Sequence, residues 1–331
     1  MIEWITPLLY LIYVLGIMIC VGIIKEHNLF SGLYHKLSKL IKNKKILVFL
    51  YSLIGGILPV PGRCVISASL LDTIATKDKQ KRQVFGLVDY LSTHHYYFWS
   101  PLEKTVIIPM AALSLTYLGF LKLIWPLLVT YLIFLFIYLV IFLKEDSIEF
   151  DVKASNVSVL HIVPFFVGII ALICGVVPWV VFGIMPIYYI IVTKTFNLKR
   201  LRGYVNWRLL LFLAIVLIAA KAVAVYISPL FVTLGAGTLV MALIIGWLLA
   251  FVMGSSSKFA GLVVAFCSAF GVLYLPLFFA SEFSAYLVSP THKCIIISKE
   301  YFGTKLSEFY SVISLLAILI LMVGIITTII V

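Results

Sequence analysis

The sequence predicts an all-α polytopic membrane protein of two inverted-topology repeats, each with a re-entrant hairpin and a broken transmembrane helix. Three observations predict it: an extreme apolar composition, basic residues gathered in a few linkers, and one short motif that occurs twice inside apolar segments. The 331 residues are 63% hydrophobic and only 11% charged. Apolar runs of about 18 to 25 residues, enough to cross a ~30 Å hydrocarbon core as helix, follow one another along the chain. A soluble chain of this length would need polar surface that is missing here. The first run, 5–24, reads as a retained helix: Glu3 stands where a signal peptide carries its basic region, and the run is long for a signal core.

The repeated motif is Ser100-Pro101-Leu102-Glu103-Lys104-Thr105-Val106-Ile107-Ile108, which recurs 189 positions later as Ser289-Pro290-Thr291-His292-Lys293-Cys294-Ile295-Ile296-Ile297. Upstream of each copy an apolar stretch is interrupted by small residues and a lone cation. The interruptions are Pro59-Val60-Pro61-Gly62-Arg63 and Gly254-Ser255-Ser256-Ser257-Lys258. Paired broken segments at corresponding places are the best sequence pointer to the binding site of a secondary transporter.

Charge sets the expected topology. Fifteen of the 25 Lys and Arg fall in the linkers 25–45, 76–82 and 194–208, whereas 112–121 carries none, nor do 228–237 and 272–280. The positive-inside rule places the three basic linkers in the cytoplasm, where they also meet anionic lipid headgroups. That distribution accounts for the net charge of +12 without a nucleic-acid partner. Linker 25–45, with Leu29, Leu33, Leu37, Leu40 and Ile41, is expected as an amphipathic helix on the inner surface.

Threading from an outside N-terminus gives eight crossings and two hairpins, with both termini outside the cell (inner) membrane. The first repeat covers 1–143, with its hairpin at 46–75 and its broken helix at 83–115. A connecting segment, 144–204, holds two short helices with a turn near 175–178. The second repeat covers 205–331, with a hairpin at 238–272 and a broken helix at 277–304. The charge pattern alone sends the two halves into the membrane from opposite sides, in agreement with the motif offset.

Non-helical backbone at membrane depth is tolerated where it is buried in protein or lines an aqueous cavity. The breaks at 58–63, 100–104, 254–258 and 289–293 are therefore expected around one cavity, with half-helix N-termini that favour anions. Pro61, Gly62, Arg63, Ser100, Lys104, Ser255, Ser256, Ser257, Lys258, Ser289 and Lys293 are the candidate substrate-binding residues. A cation near the bilayer centre costs about 2.5–3.5 kcal/mol on the insertion scale. Arg63 and Lys258 at matched hairpin tips therefore point to attraction of an anion; the alternative is pairing with a carboxylate such as Asp72, Asp89, Glu103 or Glu282. Asp72, Asp89, Glu103, Glu282 and His292 are the candidates for coupling an ion or proton, Glu103 and His292 occupying the same place in the two copies. Lys221 lies deep in an apolar run and reads as a snorkelling cation or a site member.

No metal site is expected. His94 and His95 are adjacent, so on a helix they point about 100° apart, and the five cysteines (Cys20, Cys64, Cys174, Cys267, Cys294) show no paired spacing. The cluster Tyr96-Tyr97-Phe98-Trp99 is read as packing. No enzyme motif occurs, and no cofactor is expected beyond Na⁺ or H⁺ as candidate coupling ions.

The stretch SPTHKCIIISKEYFG, with LPVPGRCVISASLLD, resembles an uncharacterised integral-membrane family of the ion transporter superfamily, whose relatives include gluconate permeases and divalent-anion/sodium symporters. The resemblance implies two inverted repeats, a transport domain moving against a scaffold, and a homodimer. The reading reached is a secondary active transporter of a small anionic solute working by alternating access. The alternatives are a flippase for a lipid-linked phosphate, a passive channel and an intramembrane enzyme.

Overall fold

A computed structural model of the chain describes residues 2–55, 63–72, 74–149, 157–205 and 236–330, with short stretches at 207–208, 210–211 and 214–215. Among the described residues the regular structure is helical, save for one isolated bridge between Ala75 and Ile148.

The first half runs through α1 (Ile2–Glu26), α2 (Ser31–Leu40), α3 (Lys44–Gly55), α4 (Arg63–Asp72), α5 (Val84–Ser92), α6 (Lys104–Ala112) and α7 (Tyr117–Phe142). Three short helices follow: α8 (Val163–Ile173), α9 (Pro178–Thr193) and α10 (Leu198–Tyr204). The second half holds α11 (Ala236–Met253), α12 (Ser256–Phe270), α13 (Leu275–Val288), α14 (Lys293–Phe302) and α15 (Leu306–Ile330).

Local chemistry explains the boundaries. Thr116 caps α7 by accepting from the Gly119 amide, and Asn197 caps α10 by accepting from Lys199 and Arg200. Gly303, at φ +73°, ends α14 in the left-handed conformation that favours glycine. Pro164, Pro178 and Pro276 sit at the first turns of α8, α9 and α13, where a missing amide costs nothing.

α7 and α15 are long and apolar enough to cross a membrane, and α13 with α14, bent by 45° at their break, make a third candidate span. The two long helices pack on each other, yet only 33% of the apolar window of each is buried. Trp125, Ile133, Ile137 and Ile141 of α7 point away from the protein, as do Leu315, Ile318, Met322 and Ile329 of α15. An apolar face of that extent needs a lipid or protein cover. By length and composition, two to three described helices thus qualify as spans, against the eight crossings expected. The shorter apolar helices α8, α9, α11 and α12 are too short for that test.

The three basic linkers are tied to one another, directly or through segment 144–149. Glu26, at the end of α1, pairs with Arg200 at 2.6 Å, and His27 Nε2 lies 3.1 Å from Thr195 Oγ1. Lys44 donates to the Ile148 carbonyl at 3.2 Å. The Thr76 amide donates to Ser147 at 2.9 Å, and Lys81 pairs with Asp146 at 2.8 Å. Segments 25–45, 76–82, 144–149 and 194–208 are therefore tied together. Linker 25–45 is not a surface-lying helix along its length: between the end of α1 and the start of α3 only Ser31–Leu40 is helical, and Tyr34 is buried, accepting on its carbonyl from Tyr51 at 2.6 Å. Leu29 is buried and Leu33 and Leu37 pack on the core, which leaves Leu40 exposed.

Candidate functional site

The described helix breaks meet in the buried interior, whereas the break expected over 58–63 lies outside the described residues up to Gly62. The first described break is wider than the expected 100–104: α5 stops at Ser92 and α6 starts at Lys104. Thr93 Oγ1 donates to the Tyr90 carbonyl at 3.0 Å, and His94 Nδ1 reaches the same oxygen at 2.6 Å. These side chains occupy an acceptor that a continuing helix would use, and a single 3₁₀ turn, His95–Tyr97, follows. Aromatic residues here read as an apolar run in sequence, which hid the early stop. Conversely, the break expected over 254–258 is confined to Gly254 and Ser255, because Ser256, Ser257 and Lys258 already form the first turn of α12.

Hydrogen bonds link the breaks in series. Cys64, in the first turn of α4, has its sulfur 3.5 Å from Thr93 Oγ1. Tyr90 of α5 donates to the Leu287 carbonyl of α13 at 2.7 Å, and His94 Nε2 lies 3.1 Å from His292 Nε2. Ser289 Oγ donates to the Phe251 carbonyl at 2.5 Å and Thr291 Oγ1 to that of Val252 at 3.0 Å. At Gly254, φ is +49°, and a Cβ would meet Thr291 Oγ1 at 2.3 Å and Ser289 Oγ at 2.8 Å. Glycine is required there both by conformation and by space. Ser100 is buried, and its hydroxyl accepts from the Leu102 amide at 3.3 Å.

Contacts between the segments just upstream of the two motif copies, 90–98 and 279–287, come in exchanged pairs. Tyr97 and Tyr286, 189 positions apart, bond through their hydroxyls at 2.9 Å. Tyr90 meets Leu287, and their counterparts Phe98 and Phe279 lie tilted at 5.5 Å between centroids. Tyr97 meets Phe283 at 5.9 Å, and the counterparts His94 and Tyr286 lie at 6.0 Å. At the level of helices, α4 packs on α14 and α12 on α6.

The coupling candidates separate. Asp72 is exposed and pairs with Arg82, which gives it a partner in the basic linker rather than at a break. Glu103 is buried and caps α6, accepting from the Lys104 amide at 3.1 Å. Asp89 is buried on α5 and accepts from Ser298 of α14, so it too bridges the halves. Glu282 is fully buried on α13 against Gly246 of α11, and among the described residues neither carboxyl oxygen has a hydrogen-bond partner. His292 is buried at the crossing, whereas Lys258 and Lys293 are exposed and Lys104 is half-buried. Ser255 and Ser256 are half-buried at the start of α12. Pro61, Gly62 and Lys221 lie outside the described residues, as do the side chains of Arg63 and Ser257.

Sequence reasoning assigned no metal cluster because it compared near neighbours only. The fold brings His94 together with His292 and Cys294 of the other half, their donor atoms within 4.8 Å of one another. The Tyr97–Tyr286 contact had a signal in the sequence: extending the motif three residues upstream aligns the two tyrosines.

Fold and site together define an all-helical protein with helices fit to cross a membrane and with two broken helical segments bonded to each other in its buried centre. The chain belongs to the family described as "Protein of unknown function (DUF401)", whose profile matches residues 4–331. No curated protein matches it.

Proposed function

We propose that the chain is a multi-pass inner-membrane transporter of a small anionic solute, built of inverted repeats 1–143 and 205–331 and working by alternating access. Kinship with the ion transporter superfamily, a homodimeric state and coupling to Na⁺ or H⁺ belong to the same proposal.

One observation carries the anionic solute. Each of the four helices that follow the breaks carries a basic residue in its first turn and no acid there: Arg63 leads α4, Lys104 leads α6 next to the capping carboxylate of Glu103, Lys293 leads α14, and Lys258 is third in α12. The positive end of a helix dipole disfavours a cation by about 0.3–1 kcal/mol. Three of these placements, at α4, α12 and α14, stand against that preference with no capping acid, which makes sense when an anion is drawn to these ends. The exchanged contact pairs support the repeat, since a two-fold relation between the halves turns each contact into its counterpart. The contacts that tie the basic linkers together support their common cytoplasmic side.

The test is a thermal-stability screen of purified protein against carboxylates, phosphates and sulfonates, with and without Na⁺ and across pH, followed by vesicle uptake of the stabilising solute. At a hundred times its dissociation constant the solute adds about 2.7 kcal/mol. Uptake that needs a sealed vesicle supports a carrier. Chemical turnover in detergent, or scrambling of a lipid probe without solute uptake, overturns the reading.

A further inference from the structure

We propose that His94, His292 and Cys294 form a binding site for one transition-metal ion, Zn²⁺ in the first instance, that joins the two halves of the chain at the crossing of their breaks.

The hydrogen bonds of the two histidines fix their tautomers. His94 Nδ1 lies 2.6 Å from the Tyr90 carbonyl oxygen, and His292 Nδ1 lies 3.1 Å from that of Tyr286. A carbonyl only accepts, so each Nδ1 carries the proton. Tyr90 Oη, 3.1 Å from His292 Nδ1, donates its own proton to Leu287 and is left as a second acceptor for the same N–H. Each neutral ring then presents a lone pair on Nε2, and these two atoms face each other at 3.1 Å. Two lone pairs at that distance repel unless a cation sits between them.

The surroundings match a metal better than a proton. An imidazole whose other N–H is held by a backbone carbonyl is the usual state of a ligating histidine. Bonds of about 2.0–2.1 Å at a tetrahedral angle separate two nitrogens by roughly 3.3 Å, close to the spacing found. Both rings are locked: that of His94 stacks on Tyr90 at 4.1 Å between centroids, and that of His292 on Tyr286 at 4.0 Å. Cys294, two residues beyond His292 and half-buried, brings its sulfur within 4.8 Å of a ring nitrogen of each histidine. An approach of about 1 Å completes the third bond. A His₂Cys set selects a borderline ion such as Zn²⁺ over Mg²⁺ or Ca²⁺. The fourth position stays open. Binding expels the thiol proton of Cys294, because the thiolate is the ligand.

The proposal is independent of transport and is tested without it. Full-length protein, purified in detergent and stripped with chelator, is titrated with Co²⁺ as a spectroscopic stand-in. The expected result is one Co²⁺ per chain, with the visible bands of a tetrahedral site and a thiolate-to-metal charge-transfer band, displaced by Zn²⁺. Cys294→Ser loses the charge-transfer band, and His292→Gln weakens binding by more than the roughly 10–100-fold of an outer-shell loss. Cys174→Ser, at an exposed cysteine, changes nothing. Absence of stoichiometric Co²⁺ in the wild type, or a charge-transfer band that survives Cys294→Ser, overturns the site and leaves a shared proton between the imidazoles. Should His292→Gln fail to fold, the wild-type spectrum and Cys294→Ser decide the matter.

Discussion

Tyr97 and Tyr286 each stand three residues before one of the two motif copies, and their hydroxyl oxygens lie 2.9 Å apart. A residue meets its own internal counterpart only where the axis relating the copies passes between them. In the repeat reading, this bond marks that axis.

The bond predicts a coupled pair. Tyr97→Phe or Tyr286→Phe alone leaves a buried hydroxyl short of a partner and costs about 1–3 kcal/mol. The double change removes both hydroxyls, so its cost falls below the sum, with a coupling of about 0.5–1.5 kcal/mol in a double-mutant cycle of chemical unfolding. Additive losses would remove the contact from the account.

Gly254→Ala should destabilise by about 3 kcal/mol or more, since left-handed strain and overpacking against Thr291 add together. Gly303→Ala supplies the comparison: φ is +73° but no atom lies within 4 Å of an added Cβ, so the cost is about 1 kcal/mol. Equal melting shifts for the two would mean that the hairpin break and the broken helix are not in close register.

How much of this was legible is best seen residue by residue. The helical, apolar character was plain because chain-long hydrophobicity has no other economical meaning. The stop at Gly254–Ser255 and the one at Ser289–His292 were legible through residues that disrupt helices by themselves. The stop at Ser92 was not, because Thr93 and His94 end the helix by side-chain bonds to the Tyr90 carbonyl, which no composition signals. Nor was the meeting of His94 with His292, 198 positions away, since near-neighbour spacing says nothing of partners brought in by the fold. Asp72 looked like a membrane carboxylate until Arg82 was placed beside it.

Anion affinity should depend on the cations that open the half-helices. Arg63→Gln, Lys258→Gln and Lys293→Gln should each weaken binding of the stabilising solute by about 1.5–3 kcal/mol, the range for a hydrogen bond to a charged group. Calorimetry on the purified protein reads this directly. Unchanged affinity in all three would leave the basic residues without a ligand role.

The linker junction should respond to pH at both extremes. The bond from Lys81 holds the Asp146 carboxyl below its ordinary value, and the bond to Asp146 raises Lys81. Asp146 therefore contributes order above its unfolded value of about 3.9, lost as pH falls through the lower folded value. Lys81 contributes below about 10.4, and its share is lost as pH rises through the higher folded value. Exchange of the Thr76 amide, corrected for intrinsic rate, should be slowest between those limits, and Lys81→Ala should flatten the profile. An identical profile in that variant would place the protection elsewhere.

Topology can be read by cysteine labelling in sealed cells or vesicles. Positions in 76–82 and 194–208 should react only from the cytoplasm and those in 228–237 only from outside. Finding 76–82 and 228–237 on one side would rule out the inverted repeat.

The bonds at the crossing join positions far apart along the chain: 189 residues for Tyr97 with Tyr286, 197 for Tyr90 with Leu287, 209 for Asp89 with Ser298. Contacts of such separation form late, because the intervening chain must first be synthesised and ordered. During biosynthesis the first half must therefore wait with Tyr90, His94 and Asp89 unmatched until α13 and α14 have emerged from the ribosome. The centre of the molecule closes last, and a nascent chain arrested before residue 287 has no centre to close.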